Sequence, residues 1–128
     1  MTVTPLYAGL LGVFYIMLAA LVIRTRFSAR IALGSGGNEL LERRIRAHGN
    51  FAEYAPLGIV LVGILDLMAI SAYLLHFLGI ALVAGRLLHA FSLSALTKRP
   101  AARIAGMLLT LTSVGVGSVV CLLQVAGV

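Results

Sequence analysis

Between Leu41 and Leu57 the chain reads Leu-Glu-Arg-Arg-Ile-Arg-Ala-His-Gly-Asn-Phe-Ala-Glu-Tyr-Ala-Pro-Leu. On a helix, Arg46, Asn50 and Glu53 fall at i, i+4 and i+7, so a cation, an amide and a carboxylate share one stripe. The stretch runs straight into an unbroken apolar segment, where polar groups are costly unless they bind one another or a ligand. Further on, Arg86 and His89 stand one turn apart, and Arg103 follows the Lys98-Arg99-Pro100 break. With Tyr54, these residues supply several cations, one carboxylate, an amide and a phenol. Such a set suits a small zwitterion with more than one carboxylate: guanidinium groups grip carboxylates bidentately, and Glu53 accepts from an ammonium group. The plainer alternatives are that Arg46 pairs with Glu53, that Arg86 neutralises Glu53, and that His89 is a packed interfacial imidazole. Gathering on one membrane face favours a ligand.

Composition says what must position these groups. The 128 residues are 61% hydrophobic and 11% charged, with a mean hydropathy of +1.08. A soluble domain is typically about 45–50% apolar, so the solvent here is a bilayer. One membrane domain, 1–128, fits the length. The formal net charge of +6 comes from cations at the ends of apolar runs, as topology signals do, so no nucleic-acid partner is expected. Cys121 stands alone in an apolar run, which excludes an intrachain disulfide and a cysteine metal cluster and marks it as a small packed or lipid-facing residue. No metal site is expected.

The apolar runs predict an all-α integral membrane four-helix bundle, with helices over about 5–24, 39–68, 72–96 and 101–125. The first run is long enough for a bilayer core of about 30 Å, too long for a signal-peptide core, and preceded by no Lys or Arg. It is expected to stop at Arg24, Arg26 and Arg30. Gly34-Ser35-Gly36-Gly37 reads as a loop. Asn38 is placed to cap the second helix, with Glu39 and Glu42 against its positive end, and Pro56 is expected to bend it near Ala52. Asp66 and His76 fall near the tight turn between the second and third helices and read as interfacial. Small residues, Gly58, Gly63, Gly79, Gly85, Gly106, Gly115 and Gly117 among them, permit close helix approach in lipid.

Loop charges set an expected orientation. Arg24, Arg26, Arg30, Arg43, Arg44 and Arg46 flank the first loop, and Lys98, Arg99 and Arg103 the third. The other ends carry no Lys or Arg. The positive-inside rule then puts both termini outside and the polar cluster toward the cytoplasm.

The stretch Glu42-Arg43-Arg44-Ile45-Arg46-Ala47-His48-Gly49-Asn50-Phe51-Ala52-Glu53-Tyr54-Ala55-Pro56 resembles the hallmark of the MAPEG family, the membrane-associated proteins of eicosanoid and glutathione metabolism. Arg86-Leu87-Leu88-His89 is similar to the family's third-helix signature, and Arg103 stands where members place an arginine at the start of helix four. The resemblance covers the whole chain and is nearest to the small bacterial members. It implies a homotrimer in a bacterial inner membrane, binding glutathione as co-substrate between subunits. Arg46, Asn50, Glu53, Tyr54 and Arg86 would hold the tripeptide, with His89 lining the pocket. Arg103 would be the catalytic, thiolate-stabilising residue, and one of Arg24, Arg26 and Arg30 could add a contact. Leu93 stands where several members have tyrosine and Met107 where the prostaglandin E synthase branch has one, so the eicosanoid-specific activities are not implied.

The leading expectation is therefore a glutathione transferase acting on lipophilic electrophiles in the bilayer, with peroxidase activity toward lipid hydroperoxides as an extension. A non-catalytic glutathione- or lipid-binding protein of the same fold is the alternative. A small four-helix exporter is the third reading, opposed by the lack of any acid in residues 5–23, since proton coupling needs a titratable site in the pathway.

Overall fold

The computed structural model describes residues 1–94, 96 and 99–127. Four helices account for nearly all of them: α1 (Thr4–Ala29), α2 (Glu39–Leu67), α3 (Ala72–Ser94) and α4 (Pro100–Ala126). Each is long and apolar enough to cross a membrane. Their outward faces carry Leu10, Ile16, Leu57, Ile80, Leu108 and Leu122, all exposed. Exposed aliphatic side chains on every helix are what a bundle solvated by lipid presents.

The packing order is α3 on α4 most extensively, then α2 on α3 and α1 on α2. Helix α1 touches α2 and α3 but makes no packing contact with α4 among the described residues. Two apolar clusters fill the interior. Leu11, Leu18, Phe51, Ala55 and Leu82 form one, and Tyr7, Val62, Leu65, Leu75 and Leu78 the other.

Helix α1 runs past the expected stop. Arg24 and Arg26 lie within it, and it ends only where Arg30 adopts a left-handed conformation, φ 56°. Arginines do not break a helix; their long stems carry the charge from a continuing helix to the interface. Gly34, Gly36 and Gly37 then take positive φ values of 66°, 55° and 79°, a backbone glycine adopts readily. Asn38 caps α2 as expected, its side-chain oxygen accepting from the Leu41 N–H at 2.9 Å. Pro56 sits inside α2. Lys98, expected among the cations closing the third helix, lies outside the described residues.

Asp66 lies in the last turn of α2, beside the turn to α3. It is 7% exposed, and its carboxylate accepts from the backbone N–H groups of Thr2, Val3 and Thr4 at 2.8–3.1 Å and from the Thr4 hydroxyl at 2.8 Å. The C-terminal turn of α2 thereby caps the N-terminus of α1, satisfying donors a helix start leaves orphaned. Close by, the Tyr7 hydroxyl lies 2.7 Å from His76 Nδ1.

One crossing decides where the chemistry sits. A Cβ on Gly106 would meet the His89 backbone nitrogen at 2.6 Å and the Gly85 carbonyl at 2.7 Å. Only glycine lets α3 and α4 touch backbone to backbone here. The contact brings Arg86 and His89 of α3 beside Arg103 and Thr110 of α4.

Candidate functional site

A groove of about 630 Å³ opens beside that crossing, lined by Arg46, Asn50 and Glu53 from α2, His89 and Leu93 from α3, and Arg103 and Met107 from α4, with Ile45 and Gly49 completing the α2 wall. The i, i+4, i+7 stripe therefore faces one cavity together with the third- and fourth-helix residues. Arg46, Glu53 and Arg103 are exposed, Asn50 is half-buried, and His89 is buried.

Arg86 and Tyr54 lie behind this wall. The Arg86 side chain is only 1% exposed. Its Nε donates to the Thr110 hydroxyl at 2.8 Å and its Nη1 to the Asn50 side-chain oxygen at 2.8 Å. Its carbon centre sits 5.1 Å from the Tyr54 ring centroid, a cation–π contact. The Thr110 hydroxyl in turn donates to the Gly106 carbonyl at 2.9 Å. A chain of bonds thus runs from α4 through Arg86 to α2, while Arg86 Nη2 is buried with no partner.

Two of the plainer alternatives are settled by these contacts. Among the described residues, no ion pair joins Arg46 to Glu53 or Arg86 to Glu53; the side-chain pair present is Arg43 with Glu39, at 3.5 Å. Arg86 is instead a buried guanidinium held by neutral oxygens and an aromatic face. Such a charge without a counter-ion is costly and raises the positive potential around it.

Asn50 has a fixed orientation for a chemical reason. A guanidinium has no acceptor, so the amide oxygen must face Arg86, and the NH₂ group is the polar end left for the groove. The groove accordingly presents two guanidinium groups and an amide donor, with Glu53 as its one carboxylate. That arrangement can bind a carboxylate-rich zwitterion, the acids at the arginines and an ammonium at Glu53.

Among the described residues, no side chain of α1 lines the groove. Arg26 donates to the Gly34 carbonyl at 2.8 Å, and Arg24 and Arg30 are exposed. Sequence reasoning missed Thr110. A threonine in an apolar run reads as packing; its signal was its place one turn beyond Gly106, whose closeness to Gly85 only the fold reveals.

A multi-pass helical membrane protein with a cationic groove between its second, third and fourth helices is the class these features define. The MAPEG family model matches residues 4–123, and the chain belongs to that family. Two curated relatives, each called Inner membrane protein YecN, come from Escherichia coli strains K12 and O6:H1 CFT073. Each is 39% identical over 87 residues, covering 68% of this chain and 66% of the relative. The match thus spans slightly under two thirds of those relatives' own length. No solved structure matches the chain.

Proposed function

We propose that this chain is a membrane glutathione transferase, multi-pass in a bacterial inner membrane, with the groove toward the cytoplasm and both termini outside. The observation that carries the proposal is the groove itself: Arg46, Asn50, Glu53, His89 and Arg103 around one cavity of about 630 Å³. Glutathione has two carboxylates, one ammonium group, amides and a thiol, and each finds a complement there. Arg46 takes a carboxylate, Glu53 the ammonium, and the Asn50 NH₂ a carbonyl or carboxylate oxygen. Membership of the MAPEG family and the inner-membrane name of the E. coli relatives support the membrane placement.

Arg103 is the residue for the chemical step. A free thiol ionises at a pKa of about 8.5, and an adjacent guanidinium favours the thiolate. The thiolate attacks an electrophilic carbon, a carbon–sulfur bond forms, and the leaving group departs with its electron pair. With a lipid hydroperoxide the same thiolate attacks the outer oxygen, and a second glutathione completes reduction to alcohol, water and glutathione disulfide. No metal is required. Because α1 does not line the groove, its arginines would reach a ligand only from a neighbouring copy, which fits a homotrimer.

Conjugation of glutathione to an aromatic halide by the purified protein tests the proposal. Arg103→Ala is expected to cut the rate about 10²-fold, the usual loss for one group stabilising developing charge, while glutathione still binds. Leu93 and Met107, where a phenol would donate to the thiolate, favour the second reading, a glutathione-binding protein without turnover. Binding with no rate above background in the wild type would establish that reading instead.

A further inference from the structure

A second cleft, of about 380 Å³, adjoins the groove and shares Arg46, Leu93 and Arg103 with it; Glu42, Arg43, Ser92, Arg99 and Pro100 complete its lining. Among its lining residues four guanidinium groups face the Glu42 carboxylate, and Arg43 also pairs with Glu39 at 3.5 Å. The cleft lies at the end of the bundle where α2 and α4 begin and α3 ends. Pro100 opens α4, whose start has no side-chain cap among the described residues and no acid in its first turn. An uncapped helix N-terminus already favours an anion, and arginines rather than acids surround it, the reverse of what its dipole would select for stability alone.

Two of these arginines are held in place. Arg43 Nε donates to the Leu93 carbonyl at 3.2 Å, and Arg99 lies 4.5 Å over the Phe91 ring. Phe91, 55% exposed, also lines an apolar groove of about 380 Å³ between α1 and α3 with Phe14, Leu18, Leu21 and Leu87. Arg99 therefore stands between a cationic cleft at the helix ends and apolar surface suited to an acyl chain.

We propose that this cleft binds phosphate, supplied by the headgroup of an anionic phospholipid. Arg43, Arg99 and the start of α4 hold the phosphate oxygens, with Arg46 and Arg103 shared between this site and the neighbouring groove. Phosphate matches planar, multi-donor guanidinium groups better than a single carboxylate does, and the depth is that of lipid headgroups. The site does not depend on glutathione binding, and its test reads lipid alone.

The test is native mass spectrometry of the detergent-solubilised protein given equal amounts of phosphatidylglycerol and phosphatidylcholine of the same chain length. Wild type is expected to retain phosphatidylglycerol about tenfold over phosphatidylcholine, and Arg99→Gln and the Arg43→Gln/Arg99→Gln pair to bring that ratio toward one. Arg99 is exposed, so its single variant remains informative if the double variant folds poorly. Equal retention by wild type, or an unchanged preference in Arg99→Gln, overturns the site. Displacement of the lipid by glycerol phosphate at comparable concentration overturns the lipid as the source and assigns the site to a soluble phosphate.

Discussion

Arg86 Nη1 donates to Asn50 Oδ1 at 2.8 Å, and this bond couples a buried charge to the wall of the candidate site. The two residues separate stability from binding. Asn50→Asp keeps an acceptor for Arg86 but removes the NH₂ donor and adds negative charge. Because the new carboxylate gives the buried Arg86 a counter-ion, its thermal stability should equal or exceed that of wild type, while glutathione affinity drops about tenfold or more. Asn50→Leu removes the acceptor and should cost about 1.5–3 kcal/mol in unfolding measurements as well as binding.

Thr110→Val tests the other end of that chain. Valine keeps the shape but takes away the oxygen that accepts from Arg86 Nε, leaving a second guanidinium donor buried without a partner. A loss of about 1–3 kcal/mol is expected by thermal unfolding in detergent, with Thr110→Ser close to wild type.

The α3–α4 crossing predicts a contrast between glycines. Gly106→Ala places a methyl 2.6 Å from the His89 backbone nitrogen, so the helices must part, at a cost of about 1–3 kcal/mol. Gly115→Ala meets nothing within 4 Å and should be neutral or stabilising by about 0.5–1 kcal/mol. Comparing the two melting temperatures checks whether close approach, rather than glycine content, holds the bundle.

Asp66→Ala strips the start of α1 of an acceptor for three backbone N–H groups and the Thr4 hydroxyl. The first turn of α1 should exchange its amide hydrogens much faster, and stability should drop by about 2 kcal/mol, the upper range for a cap. Exchange unchanged at Thr4 would contradict the docking role.

The long apolar runs made the helices readable, because in lipid the backbone must close its own hydrogen bonds and length alone then marks a span. The Arg46–Asn50–Glu53 stripe was equally readable, since helical spacing alone puts its members on one face. Partners distant in sequence were not. The donors that Asp66 accepts from lie more than 60 residues earlier, and Arg86 looked able to neutralise Glu53 because no local rule reveals the Thr110 and Asn50 oxygens that hold it. Glycine spacing hinted at close packing but could not pair Gly85 with Gly106. The extension of α1 to Ala29 escaped because arginine marks the membrane edge without ending a helix.

Arg46→Ala and Glu53→Ala probe opposite ends of the proposed ligand. Both side chains are exposed, so neither change should move the melting temperature by more than about 0.5 kcal/mol equivalent.

Calorimetric titration of the detergent-solubilised protein with glutathione bears most directly on the site. Saturable heat is expected for wild type, with affinity reduced about tenfold or more in Arg46→Ala and in Glu53→Ala. No saturable heat in wild type, or wild-type affinity in both variants, would contradict the assignment of the α2–α3–α4 groove to glutathione.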